Sequence, residues 1–241
     1  MAHVHLASTY LTNEEYTDST KVAHSMLYKA IAIDNNSDAM YLLGNIFREG
    51  LNVKPDSIKA FQYYKTAADL GHCEAMNNLG NCYLEGYAID KNHKKASEIF
   101  EKSWGYGSFL GLYNLAELYR QGKGVKKDVR KATILFAAVI SKDDEHLSGL
   151  TYAALAEIQI ENHNYELATK LLRISSEKGN INSTMNLAHL LLSGPPQVVD
   201  IWKAYDLFDK ALQTSNSPII ESDAMEQMET ICYRQPTIKE K

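Results

Sequence analysis

A lysine-alanine pair places its alanine at Ala60, Ala96 and Ala132, and the alanine recurs at Ala168 after Leu167 and at Ala204 after Lys203. Five equivalent positions thus stand 36 residues apart. A period of that length marks a helix-turn-helix unit, which cannot bury its apolar face alone and must stack on its neighbours.

The residues around each anchor recur as well. Twenty-one residues before Ala60, Ala96 and Ala132 lie Ala39, Ala75 and Gly111, each opening a stretch of the form small-x-x-x-Leu-Gly/Ala-x-x-aromatic. The three stretches pass through Leu43-Gly44 to Phe47, Leu79-Gly80 to Tyr83, and Leu115-Ala116 to Tyr119. Counting back by the same interval from Ala23 reaches Ala2, and Ala2 to Tyr10 fits the template.

After each anchor come bulky residues at three and four places and often a small one at seven. They are Met26-Leu27 with Ala30, Tyr63-Tyr64 with Ala67, Ile99-Phe100 with Ser103, Leu135-Phe136 with Val139, Leu171-Leu172 with Ser175, and Leu207-Phe208 with Ala211. Spacings of three, four and seven lie on one stripe of a helix. Eleven places after the anchor stand Gly71, Gly107 and Gly179, where a left-handed residue lets the chain leave the helix, and Asp34, Asp143 and Ser215 fill the other three sites. The small residues Gly44, Gly80, Ala116, Ala156 and Ala188 mark the expected close crossing of the two helices of a unit, with the anchor alanine as the expected partner across the gap.

The chain resembles the Sel-one-like repeats (SLR), a subclass of the tetratricopeptide-like (TPR-like) solenoids. The resemblance rests on Ala-x-x-x-Leu-Gly-x-x-Tyr, on Gly122-x-Gly124-Val125-x-x-Asp128-x-x-Lys131-Ala132, and on Lys59-Ala60-x-x-Tyr63-Tyr64-x-x-Ala67-Ala68-x-x-Gly71. It spans almost the whole chain and implies an all-α fold, a right-handed α-α superhelix of about six helix-turn-helix repeats plus a C-terminal helix. The turn motif is complete only in unit four and is reduced to Gly50-Leu51-Asn52-Val53 in unit two. In unit five Ala156 and Ala168 are 12 apart instead of 16, so Glu161-Asn162-His163-Asn164 reads as a tight turn.

A length of 241 residues, 45% hydrophobic, with five prolines and thirteen glycines, suits one elongated core. The units are read as 2–38, 39–74, 75–110, 111–150, 151–182 and 183–223 in a single domain, 1–233, with a closing helix over 224–233 and a polar tail over 234–241. Asp144-Glu145-His146-Leu147 lengthens one connection, and Ser193-Gly194-Pro195-Pro196 forces another out of helix. The first unit starts at Met1 with no polar capping helix. Either His3 and His5 provide a wet end, or the chain is the tail of a longer array.

No stretch approaches the ~20 apolar residues of a membrane span, which argues against direct membrane insertion. Three cysteines, Cys73, Cys82 and Cys232, stand at no regular repeat position, so a disulfide-laced secreted array is not expected. The default compartment is then the cytoplasm or another reducing one. The chain has no phosphate loop, nucleophile elbow or His-Glu-x-x-His. His72, Cys73, Cys82 and His93 are metal-binding types, but Cys73 and Cys82 fall out of phase on one helix, and packing and surface roles account for them better than zinc. No catalytic residue, cofactor or metal is therefore assigned, and the expectation is a non-enzyme. Asn78, Asn114 and Asn186 repeat two places before the small position and read as structural hydrogen-bonding groups before ligand contacts. Trp104 either fills the joint between units three and four or is an exposed anchor.

The net charge of −5 argues against a general nucleic-acid binder. Lys91, Lys94, Lys95, Lys123, Lys126, Lys127, Arg130 and Lys131 nevertheless gather around two successive inter-helix turns. This edge is either a plain solvated rim or a docking site for an acidic partner. The resemblance implies protein or peptide partners and adaptor work in assembling or regulating larger complexes. A rigid structural arm is the alternative, and a hydrolase, as claimed for secreted cysteine-rich relatives, is a third reading that this chain supports least. On the register of such repeats the partner groove is expected to present Tyr41, Asn45, Arg48, Asn77, Asn81, Tyr113, Glu117 and Arg120.

Overall fold

Four of the second helices begin where a short polar side chain receives an N–H that the helix itself leaves without a partner. Asp56 accepts from the Lys59 amide at 3.0 Å, Asn92 from Lys95 at 3.0 Å, Asp128 from Lys131 at 2.9 Å, and Asp200 from Lys203 at 3.1 Å. The computed structural model describes residues 19–51, 53–141 and 145–234. The expected first helix of unit one, His3 and His5, Asp143, Asp144 and residues 235–241 of the tail lie outside the described residues.

The described residues form twelve helices and no strands. They are α1 (Ser19–Asp34), α2 (Ser37–Glu49), α3 (Ser57–Asp69), α4 (Cys73–Glu85), α5 (His93–Gly105), α6 (Phe109–Gln121), α7 (Val129–Ile140), α8 (Glu145–Glu161), α9 (Tyr165–Glu177), α10 (Ile181–Ser193), α11 (Ile201–Thr214) and α12 (Pro218–Arg234). The chain divides into two compact units, residues 1–135 and 136–241, where the sequence suggests one uninterrupted array.

Two boundaries differ from the sequence reading. Helix α12 starts at Pro218, six residues ahead of the expected 224. Proline is favoured in the first helical turn, where its missing N–H costs nothing, and the preceding Ser217 amide is held by the Ser215 hydroxyl at 2.9 Å. Glu145 and the residues after it, read as a lengthened connection, already belong to α8.

In the first unit, consecutive helices pack as antiparallel neighbours from α1 to α6, and α4 also touches α6. The anchors behave as the period requires: Ala23, Ala60, Ala96, Ala132, Ala168 and Ala204 are all 0% exposed. The bulky residue four places on is buried too, as Leu27, Tyr64, Phe100, Phe136, Leu172 and Phe208. Full burial of one such side chain contributes ~1.5–3 kcal/mol.

At Gly44 and Gly80 the nearest neighbour across the gap is an aromatic ring, not the anchor alanine. A Cβ on Gly44 would lie 2.5 Å from the Tyr64 ring, and one on Gly80 would lie 2.4 Å from the Phe100 ring. The glycine is therefore a seat for the aromatic residue one helical turn beyond the anchor. In the second unit Ala156 and Ala188 share a core with Leu172 and Phe208.

Polar bonds tie one repeat to the next. Ser103, buried on α5, donates to Asn77 Oδ1 at 2.9 Å, and Asn77 Nδ2 donates to the Ser108 hydroxyl at 2.9 Å. Ser108 also caps α6, accepting from Gly111 N at 3.1 Å. In the second unit the Ser175 hydroxyl donates to Gly149 O at 2.7 Å and pairs with the Ser183 hydroxyl at 2.7 Å. Ser103 and Ser175 occupy the same repeat position, seven after the anchor.

Glycine governs the turns. Gly71, Gly107 and Gly179 have φ of 92°, 92° and 83°, as their spacing predicts. The Glu161–Asn164 segment is a tight turn between α8 and α9, with His163 at φ 57° and Asn164 capping α9.

Candidate functional site

Helices α2, α4 and α6 are the first helices of three successive repeats and carry all eight residues expected in the groove. Tyr41 is half-buried and stacks on the His72 ring at 4.6 Å between centroids and 25° between planes. His72 is fixed in turn. Its Nδ1 accepts the Ala75 amide at 3.2 Å, capping α4, and its Nε2 lies 3.3 Å from Asp38 Oδ1. An acceptor at Nδ1 puts the proton of the neutral ring on Nε2, the nitrogen on the Asp38 side.

The asparagines divide by exposure. Asn45 Oδ1 accepts from the Tyr64 hydroxyl at 2.7 Å and from Asn78 Nδ2 at 3.3 Å, joining α2, α3 and α4. Burial pushes the Tyr64 phenol well above the ordinary tyrosine range, so it stays a donor to Asn45. Asn77, expected on the groove face, is instead 3% exposed and bonded to Ser103 and Ser108. It is one turn too deep to meet a partner. Asn81 is exposed.

Farther along, Tyr113 is half-buried on α6, and Glu117 holds Arg120 through contacts of 3.0 Å to Nε and to a terminal guanidinium nitrogen. Gln121 adds a bond to Glu117 Oε2 at 2.8 Å. Arg48 is exposed and pairs with Glu49 at 2.7 Å. The face thus offers aromatic, amide and guanidinium groups on three rigid helices, with the Tyr41 ring already oriented.

A second feature lies where each first helix turns into its second helix. The ammonium of Lys59 stands 5.1 Å from the centroid of Phe47, that of Lys95 5.3 Å from Tyr83, and that of Lys131 4.0 Å from Tyr119. Lysine and aromatic partner both recur at the repeat period. The same aromatic residues close the turn through their carbonyls, which accept from the amides of Asp56 at 2.8 Å, Asn92 at 2.7 Å and Asp128 at 2.9 Å. All eight cations of the expected basic edge are exposed. The sequence contains both halves of this lysine-aromatic pairing, but at 12 residues apart and across a turn their contact has no local signature.

Elsewhere, Trp104 packs edge-on against Phe109 at 5.1 Å yet stays 37% exposed, between the two roles read for it. In the second unit His189 Nε2 meets Asp223 Oδ2 at 2.8 Å, linking α10 to α12. A cleft of about 910 Å³ opens beside Tyr205, Met225, Met228 and Cys232. The three cysteines are free. Among the described residues no group of three or more His, Cys, Asp or Glu is placed to hold a metal ion, and no helix is long and apolar enough to cross a membrane.

The family model of the Sel1 repeat matches this chain three times, over residues 37–72, 73–103 and 110–138. The chain contains three Sel1 repeats. The three matched repeats are those that present α2, α4 and α6. Among solved structures, a Sel1 repeat protein from Oxalobacter formigenes is similar in fold, with a TM-score of 0.77 at 22% identity over 90% of this chain and 86% of that one. The protein c5321 of uropathogenic Escherichia coli, a protective antigen displaying an SLR fold, gives 0.71 at 22% identity over 97% of this chain. This Sel1-repeat chain spans about half of that antigen, 49% of its length. Yeast Tom70 is more distant, at 0.58 and 18% identity over 99% of this chain and 47% of that one. No curated protein matches the sequence. Sel1 and related repeats generally serve as scaffolds for protein-protein interaction and are typically non-catalytic.

Proposed function

We propose that this Sel1-repeat chain is a non-enzymatic adaptor that holds a segment of a partner protein along the face of α2, α4 and α6 and so supports the assembly or regulation of a larger complex. The observation that carries this reading is the pre-set Tyr41 ring. It is stacked on a histidine that is itself held by the Ala75 amide and by Asp38, so binding freezes little further motion. Tyrosine and arginine combine contact area with directed hydrogen bonds, which makes Tyr41, Tyr113, Arg48 and Arg120 the anchors, with Asn45, Asn81 and Glu117 supplying polar selectivity. Asn77 supports the face from beneath.

The test is affinity capture with the full chain, comparing wild type with a Tyr41→Ala, Asn81→Ala, Tyr113→Ala variant. A partner retained by wild type and lost by the variant, at equal helicity and melting temperature, supports the groove. Because Tyr41 packs against His72, the single change Asn81→Arg, which only fills the exposed face, provides a second reading. Partner retention by both folded variants overturns the groove and leaves the chain as a rigid arm.

A further inference from the structure

The edge formed by the α4–α5 and α6–α7 turns carries a charge density that the fold does not require. Residues 86–95 and 122–131 together hold eight cations and two carboxylates, Asp90 and Asp128. The equivalent turn at 50–59 holds Lys54, Lys59 and Asp56, and that at 194–203 holds only Lys203 and Asp200. Both of those turns make the same closing and capping bonds, with Asp56 N to Phe47 O at 2.8 Å and Asp200 N to Leu191 O at 2.9 Å. Turn formation therefore accounts for one lysine per repeat and leaves six cations, Lys127 and the five Lys91, Lys94, Lys123, Lys126 and Arg130, unexplained. Among the described residues none of these five has an ion pair, on a chain whose net charge is −5.

The two turns are pressed together. Gly124, at φ 71°, lies so close to the start of α5 that a Cβ there would fall 2.2 Å from the His93 carbonyl carbon and 2.6 Å from the Lys94 amide nitrogen. The Gly122–Lys127 loop and the first turn of α5 thus make one surface, with Lys91 and Lys94 on one side and Lys123 and Lys126 on the other. Its acidic neighbours include Asp90, beside Lys91, and Glu98, one turn after Lys94. Asp128 accepts the Lys131 amide at 2.9 Å, and Glu101 lies close enough to bear on the Lys131 charge.

We infer that this edge docks an acidic, extended segment of a partner protein, rich in Asp or Glu. Three features select that occupant. Seven of the eight cations are lysines, compact hydrated charges that respond to charge density, whereas oriented phosphates favour the fork of arginine. The rings of Tyr83 and Tyr119 are half-buried and each carries a lysine, Lys95 or Lys131, over one face, which makes them poor platforms for a stacked nucleobase. No large apolar side chain in these twenty residues is exposed, so nothing is available to insert into a bilayer.

The inference is independent of the α2, α4 and α6 face and is tested separately with the full chain. A dye-labelled peptide of alternating glutamate and glycine is titrated by fluorescence anisotropy at about 0.05 M and about 0.3 M salt, the range over which screening of exposed charges tightens. Wild type binds it, more weakly at the higher salt, and the variant Lys91→Gln, Lys94→Gln, Lys123→Gln, Lys126→Gln loses about tenfold or more in affinity at low salt. These four lysines cover no aromatic ring and cap no helix, so melting stays unchanged. The groove variant Tyr41→Ala, Asn81→Ala, Tyr113→Ala keeps wild-type affinity for the peptide. Equal binding by wild type and the lysine variant overturns the inference. So does tighter binding of wild type to a single-stranded oligouridine or to phosphatidylserine vesicles than to the acidic peptide.

Discussion

The Phe100 ring lies against the bare α-carbon of Gly80, so close that a methyl group added there would fall 2.4 Å from it. Phe100 is 0% exposed and cannot swing aside. Gly80→Ala should therefore cost ~1–3 kcal/mol by overpacking, despite the higher helix propensity of alanine. Denaturant unfolding of Gly80→Ala, Phe100→Leu and the double variant checks this. The double variant should be more stable than the sum of the single effects implies, and strict additivity would remove the contact as the cause.

At one equivalent position the turn after α6 has Gly124 and the turn after α4 has Ala88. Gly124 combines φ of 71° with the His93 backbone at its side, so Gly124→Ala should lose more than about 2 kcal/mol. Ala88 stands 36 residues earlier in the same left-handed region, at φ 70°, where a Cβ is strained. Ala88→Gly should stabilise the protein by about 0.5–1 kcal/mol, read as a rise in melting temperature. A fall would show that the strain is already relieved.

Lys131 and Tyr119 form the tightest of the three lysine-aromatic pairs, with Nζ also donating to the phenol oxygen at 2.6 Å. That bond holds the Lys131 ammonium above the ordinary lysine range. Lys131→Met keeps the length of the side chain but loses the charge, and should cost ~0.5–1 kcal/mol, as expected of an exposed cation on a ring. Tyr119→Leu should then make Lys131→Met nearly neutral. An unchanged cost in the leucine background would assign the loss elsewhere.

Alkaline pH should weaken the fold through Cys82. Burial pushes this thiol from its ordinary 9.0 up to about 11. Between those values the unfolded chain has released a proton that the native chain keeps, so stability is whole below about 9 and falls as pH rises. The loss attributable to Cys82 reaches up to about 2 kcal/mol near pH 11. Urea unfolding of wild type and Cys82→Ala at about pH 8 and about pH 11 isolates it. The buried Tyr64 phenol acts in the same direction and remains in the variant. Parallel losses in the two proteins would clear Cys82 of the effect.

The 36-residue spacing predicted which positions are equivalent, and the six anchors at 0% exposure show how directly that equivalence follows from residue size. It did not predict which equivalent positions meet. Gly80 and Ala96 share a unit, and only the stagger of the two helices sends the small residue to Phe100 instead. The same limit applied to Asn77. Asn77 and Asn81 lie one turn apart on nearly the same face of α4, and Asn77 is enclosed because Ser103 and Ser108 close over it, which the sequence pattern alone does not show. The lysine-aromatic row was hidden for a related reason, since its halves belong to different helices and join only once the turn has closed.

Gly44 under Tyr64 and Gly80 under Phe100 are the same joint made twice, and Ser108 caps α6 as His72 caps α4. A duplicated stretch of residues 73–108, inserted after His72, would meet matching surfaces at both of its ends. The reach of such a chain can therefore be changed in whole-repeat steps by copying or deleting sequence, with no new interface to invent.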